Sequence, residues 1–194
     1  LFRSRDAGMG LVFTGVTYYD GVGFLVNKKL GVDGGLEDST LSVDDVVAGS
    51  TLAPGTVELL WSQIYTWTHE EWSPVDDSDE ARAAIASEAR ELDLDRTAVA
   101  LVDGEPAAVA FVFDDPGAST VCAESVRRDT PDADEALTRA VAWVVRDAHG
   151  RSEHRLAFDG HESDPHFGPL ARRLCLEGAR LSLLEIPAPS RADS

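Results

Sequence analysis

An α+β fold, α/β sandwich-like and built on a mixed sheet, is what this 194-residue sequence predicts. Three observations carry the expectation. From about residue 55 the apolar patterns run α-α-β-β-β-α-β-α-β. The first strand-like runs follow one another directly, parted by Asp103-Gly104, a dipeptide that supplies the positive-φ residues of a tight hairpin. After them a long helical pattern lies between two strand-like runs, which joins the antiparallel start to a parallel crossover.

Pro54 and Thr56 open the first helix, whose buried face is read from Val57, Leu60, Trp61, Ile64 and Thr68 at spacings of three and four. It ends before Ser73-Pro74, because a residue ahead of proline is pushed out of the helical region. Ser78 caps a second helix with acidic residues in its first turn and an Ala-rich body from Ala81 to Leu92. RTAVALVDGEPAAVAFVFDD supplies two strands, and STVCAESVRR, Ser119 to Arg128, a third after the turn at Pro116-Gly117. Thr130-Pro131 reads as cap and first residue of a helix that buries Leu137, Ala140, Val141, Val144 and Ala148 and stops at Gly150. EHRLAFDG is a fourth strand, DPHFGPLARRLCLEG a helix opened by Asp164-Pro165 and stopped by Gly178, and ARLSLLEIP a last strand.

Residues 1–45 read as a separate segment. Both lysines, Lys28 and Lys29, and the one methionine, Met9, lie there, whereas residues 46–194 draw every basic charge from arginine. GLVFTGVTYYDGVGFLVNKKLGV, Gly10 to Val32, closely resembles a short stretch of the periplasmic amino-acid-binding proteins of ABC transporters. That resemblance implies a fragment of an amino-acid-binding protein. Such a protein closes its cleft between two α/β lobes, which a stretch of this size does not build. Residues 1–45 are therefore expected to be an extension or graft ahead of a domain at 46–194, and a β-hairpin with VTYYD and GFLVN as strands is the other reading.

Against 17 basic residues stand 35 acidic ones, a formal charge of -18, so the field of the whole molecule repels phosphate backbones and anionic lipid headgroups. Neither nucleic acid nor a membrane is expected as a partner. The start, LFRSRDAGMG, lacks the apolar core of a signal peptide, and a cytoplasmic protein is expected. Cys122 and Cys175 read as small buried hydrophobes, not as a disulfide framework.

The order of elements from residue 46 onward resembles that of the GNAT family of acyl-CoA-dependent N-acyltransferases, with STLAP at Ser50 as a first strand. RTAVALVDGEPAAVAFVF looks like the family's central hairpin, and WSQIYTWTHEEWSPV like its first helix. The resemblance implies acetyl-CoA or another acyl-CoA as co-substrate and an amine as acceptor, either a small molecule or a protein N-terminus or side chain. Alternatively, the chain is a catalytically dead GNAT-like module of a larger protein.

In that family a Gly-rich loop donates backbone N–H groups to the pyrophosphate at the start of the long helix. The corresponding segment here is SVRRDTPDADEAL, which offers Ser125, Val126, Arg127, Arg128 and Thr130 as residues that bind the cofactor. The glycines of the family pattern are missing, and Asp129, Asp132, Asp134 and Glu135 crowd the helix start, which is also how an ordinary capped helix begins. Glu124, among Val121, Ala123 and Val126, is the candidate general base, since apolar surroundings raise a carboxyl pKa; its other reading is a strand residue facing solvent. The Val126 N–H is the oxyanion donor that the resemblance implies. The family's tyrosine on the last helix has no counterpart, as Tyr18, Tyr19 and Tyr65 lie elsewhere and only Cys175 offers an acidic group there. Tyr65, His69 and Trp72 are the expected acceptor-pocket residues, with His69 alternatively a partner of its helix C-terminus.

FDGHESDPHFGPL gathers Asp159, His161, Asp164 and His166, which raises the question of a metal site. Asp164-Pro165 reads as a helix cap, which removes Asp164 from the ligand set and leaves three residues matching no metal motif. No metal is expected.

Overall fold

The computed structural model describes residues 22–25, 46–71, 73–153, 155–161, 163–174 and 177–180. Trp72, Cys175 and the expected last strand beyond Arg180 lie outside the described residues, as does most of the segment before residue 46. The elements are β1 (Val22–Leu25), β2 (Val46–Ala48), a 3-10 turn (Gly49–Thr51), α1 (Thr56–His69), α2 (Asp79–Ala89), β3 (Ala98–Val102), β4 (Glu105–Phe113), β5 (Ser119–Ser125), α3 (Ala133–Gly150), β6 (Leu156–Asp159), α4 (Phe167–Arg173) and β7 (Glu177–Arg180).

The strands form one mixed sheet in the order β2-β3-β4-β5-β6-β1-β7. β2 to β5 make an antiparallel meander, and β5 pairs with β6 in parallel through the α3 crossover. β1 runs antiparallel to both β6 and β7, so a strand from the first 45 residues lies inside the sheet and β7 forms its edge. The hairpin turn lies where the sequence puts it, with Asp103 at φ 52 and Gly104 at φ 82.

Both faces of the sheet are covered, which is why β4 reads as a near-continuous apolar run. On one face Ala98, Ala100, Ala108, Ala110 and Ala123 present small side chains, and α3 packs on them through Ala136, Leu137, Ala140, Val141 and Val144. On the other, Val99, Val109, Phe111 and Phe113 meet Val57, Leu60, Trp61 and Ile64 of α1 and Ile85 of α2. Trp61 meets Phe111 edge-on at 5.0 Å and Phe113 at 5.4 Å, a geometry worth about 0.5–1.5 kcal/mol per pair beyond area burial.

Ser78 caps α2 as expected, accepting the Ala81 N–H at 3.2 Å. Four expectations are corrected. The first strand lies at Val46–Ala48, with Ser50 in the 3-10 turn that follows. α3 begins at Ala133 behind Asp132 at φ 54, so Thr130 is not its cap. Asp164 does not cap α4, which starts behind His166 without a side-chain cap. That helix ends at Arg173, and Gly178 lies within β7, paired with Phe24. Backbone pairing with β1, distant in sequence, takes Glu177–Arg180 into the sheet.

Candidate functional site

β5 and β6 stay paired only as far as Cys122 and Asp159. β6 ends there while β5 continues to Ser125, so the sheet opens at the C-terminal ends of its parallel pair. Open α/β sheets present ligand sites at such places. Glu124 stands in this wedge, 3% exposed. Its Oε1 accepts the Ser125 N–H at 2.6 Å, and its Oε2 accepts the Phe167 N–H at 3.0 Å from the first residue of α4. Burial pushes the Glu124 carboxyl up, against the two backbone hydrogen bonds and the nearby His166. The side chain is thus buried, not turned to solvent.

A cavity of about 150 Å³ opens beside it, walled by Trp61, Ile64, Tyr65 and Phe111 and floored by Glu124, Asp159 and Asp164. His69 lines it as well. Its ring stacks on Tyr65 at 3.9 Å, and its Nδ1 donates to the Tyr65 carbonyl at 2.7 Å. α1 therefore brings two of the expected acceptor-pocket residues, Tyr65 and His69, to the same cavity as Glu124. His69 is the last residue of α1 and lines the cavity as well.

Asp164 is the group sequence reasoning missed. Its Oδ2 accepts the His161 N–H at 2.9 Å, while Oδ1 accepts no hydrogen bond among the described residues. Burial first, and then the Glu124 and Asp159 charges, push this carboxyl up to about 7, against the His161 N–H and Arg128. Asp164-Pro165 looked like a local cap. Burial sets its chemistry first, and of the charges beside it Glu124 and Arg128 come from segments that no local spacing ties to it.

The expected cofactor-binding residues run from the end of β5 into the loop before α3, and their backbone is engaged within the protein. Ser125 N–H goes to Glu124, Val126 N–H to the Ala107 carbonyl at 2.8 Å, and Arg127 N–H to Thr130 Oγ1 at 3.0 Å. The oxyanion role expected of the Val126 N–H is thereby corrected: the group belongs to the β4–β5 ladder. The carbonyls are held too, Val126 by Gln63 Nε2 at 3.2 Å and Ser125 by Trp67 Nε1 at 3.3 Å, both from α1. Thr130 Oγ1 and Ser125 Oγ both donate to the Arg127 carbonyl, at 2.8 and 2.7 Å. Lacking glycine, the loop folds on itself. It presents the exposed Arg127 side chain and Arg128, which pairs with Glu71 at 3.0 Å over the Trp67 ring.

His166 fastens this loop to α3. Nδ1 meets Asp134 Oδ1 at 2.8 Å and Nε2 meets the Arg128 carbonyl at 3.1 Å. Both partners are acceptors, so both ring nitrogens donate and the imidazolium is favoured. Burial opposes the charge, but the Asp134 and Arg128 hydrogen bonds and the Glu124 charge raise the His166 pKa overall. His161 turns instead to Ser163, its Nδ1 lying 2.5 Å from Oγ. Asp164 and the two histidines thus serve separate partners. Among the described residues no three His, Cys, Asp or Glu side chains come together as a metal-holding group.

A crystal structure of a GCN5-related N-acetyltransferase from Sphaerobacter thermophilus superposes with a TM-score of 0.50 and 14% identity, over 86% of this chain and 51% of that one. The fold is of the GNAT type. This GNAT-type chain spans about half the length of that solved protein. No family model matches its sequence. By sequence it is similar to the Escherichia coli (strain K12) protein named "Putative amino-acid ABC transporter-binding protein YhdW" and to its namesake in E. coli O157:H7. Each is 40% identical over 88 residues, which is 43% of this chain and 24% of theirs.

Proposed function

We propose that this domain transfers an acyl group from acyl-CoA to an amine held in the acidic cavity. The observation that carries the reading is the wedge past Cys122 and Asp159, where a cavity with apolar walls and a carboxylate floor opens. The carboxylate floor attracts an ammonium, and a carboxyl raised to about 7 takes the proton that an amine must lose before it attacks a carbonyl. A small amine suits a cavity of about 150 Å³ better than a protein side chain does.

The co-substrate supplies an activated acyl thioester. The Ser125, Val126 and Arg127 N–H groups are engaged, so they form no backbone cradle for its diphosphate, and the Arg127 and Arg128 guanidinium groups are what this chain offers it. Glu124, with both oxygens held by N–H groups, fixes the wedge and contributes negative charge to the floor. Such chemistry draws on cytoplasmic acyl-CoA.

The engaged loop backbone favours a second reading, a GNAT-fold module without catalysis. Incubating the full chain with acetyl-CoA and benzylamine, and following free thiol and N-acetylbenzylamine, separates the two. Protein-dependent formation of both products supports acyl transfer, and their absence supports the module.

A further inference from the structure

Within the acyl-transfer reading, on which this inference rests, we propose that Asp164 is the carboxylate that receives the ammonium end of the acceptor and takes its proton, and that Glu124 is a positioning residue.

The two side chains share the cavity floor but differ in what holds them. Glu124 accepts a backbone N–H on each oxygen, and the bond from Phe167 ties β5 to the first turn of α4. Moving its carboxylate toward a ligand would strand two buried donors, at a cost on the order of 1–3 kcal/mol each. Asp164 is anchored through Oδ2 alone, by the His161 N–H, and Oδ1 accepts no hydrogen bond among the described residues. One oxygen therefore fixes the side chain, and the other is left for a donor in the cavity. The carboxyl is half ionised near neutrality, which suits a group that must both accept and release a proton.

The charged surroundings point the same way. Glu124 faces Asp164 from β5 and Asp159 from the end of β6, both raising its proton affinity, while Arg128 from the loop before α3 lowers it. His161 and His166 lie on its own segment, and His69 of α1 and Glu88 of α2 line the same cavity. An entering ammonium relieves the repulsion among Glu124, Asp159 and Asp164. Trp61, Tyr65 and Phe111 give its body an apolar or aromatic wall.

The ammonium gives one proton to Asp164 Oδ1 and becomes a neutral amine, whose lone pair attacks the thioester carbonyl carbon. The C–N bond forms and the C–S bond breaks, the departing thiolate takes the second N–H proton, and Asp164 returns its own proton to water. Ammonium and thioester become amide, thiol and one proton.

The test uses the full chain with acetyl-CoA and benzylamine. The pH profile of kcat/KM is compared among wild type, Asp164→Asn, Asp164→Glu and Glu124→Gln, alongside calorimetric titration of benzylamine alone. Asparagine keeps an acceptor for the His161 N–H, and thermal melts report the folded state of each variant. Wild type is expected to lose activity below about pH 7. Asp164→Asn is expected to lower kcat/KM by about 100-fold and abolish that limb, as loss of a general base does. Asp164→Glu is expected to restore the limb in part, and Glu124→Gln to keep it. Turnover with the limb intact in folded Asp164→Asn overturns the assignment and leaves acyl transfer standing. Absence of turnover in wild type, with benzylamine binding weakened at least 10-fold in Asp164→Asn, overturns acyl transfer and keeps Asp164 as the ammonium counter-ion. Absence of both turnover and benzylamine binding overturns both.

Discussion

Glu124 accepts the backbone N–H of Phe167 at 3.0 Å across the gap where β5 and β6 part. With its other oxygen on Ser125, the carboxylate replaces ladder bonds that the sheet no longer makes there. Removing it by Glu124→Ala leaves two buried N–H groups without an acceptor, at about 1–3 kcal/mol each, partly offset by no longer burying an acid. Glu124→Ala is expected to lose about 3 kcal/mol and Glu124→Gln about 1 kcal/mol, read from urea midpoints at pH 7.

Stability is expected to fall as pH rises from about 5 to 8. Asp164, raised from 3.8 to about 7, and Glu124, raised above 4.5, hold more protons folded than unfolded across that window, so raising the pH favours the unfolded chain. His166, raised above 6.5, adds to the same slope, since its stabilisation is full below the unfolded value and is lost as pH rises through the folded one. Glu153 has the opposite sign: its lowered pKa contributes above 4.5 and is lost in stronger acid. With water reaching the partly exposed Asp164, its share comes to about 2 kcal/mol. Melting curves from pH 4 to 8 should peak near pH 5, and Asp164→Asn should flatten the fall.

Gly160 follows the last residue of β6, where an added Cβ would lie 2.5 Å from Phe167 Cδ1 and Cε1. Phe167 is 1% exposed and stacks on Phe158, so its ring has little space to retreat. Gly160→Ala is expected to cost about 1–3 kcal/mol by overpacking. A denaturant midpoint equal to that of wild type would contradict this packing.

Arg96, 5% exposed, ties the approach to β3 to the end of α3 and the start of β5. It reaches Asp147 at 3.1 Å and Ser119 Oγ at 2.7 Å and pairs with Glu153, which also accepts the Ser119 N–H at 2.9 Å. Arg96→Met takes the cation from Glu153 and leaves Asp147 only the exposed Arg151, at about 3 kcal/mol. Urea unfolding of the variant checks the figure, and a loss under about 1 kcal/mol would show the network to be dispensable.

What the sequence made legible was local. α1 follows from the spacing of Val57, Leu60, Trp61 and Ile64, α2 from its Ser78 cap, and the β3–β4 hairpin from Asp103-Gly104. Glu124 stood out because a carboxylate among apolar neighbours on a strand carries its own signal. The rest depends on contacts between distant segments. Thr130 looked like a cap, but its hydroxyl closes a turn on Arg127. Asp164 also looked like a cap, yet burial, and after it the charges of Glu124, Arg128 and Asp159, set its chemistry. The part played by His166 depends on Asp134 and Arg128 arriving beside it, and neither is near it in sequence.

Acyl-CoA binding is tested most directly by melting the full chain with and without 1 mM acetyl-CoA, beside an Arg127→Glu variant. For a dissociation constant near 100 μM, mass action stabilises the folded state by about 1.4 kcal/mol, or roughly 3–5 °C in a chain of this size. The expected result is a rise of that order in wild type and a smaller one in Arg127→Glu. No shift in wild type at millimolar acetyl-CoA would contradict acyl transfer and leave a GNAT-type fold without its co-substrate.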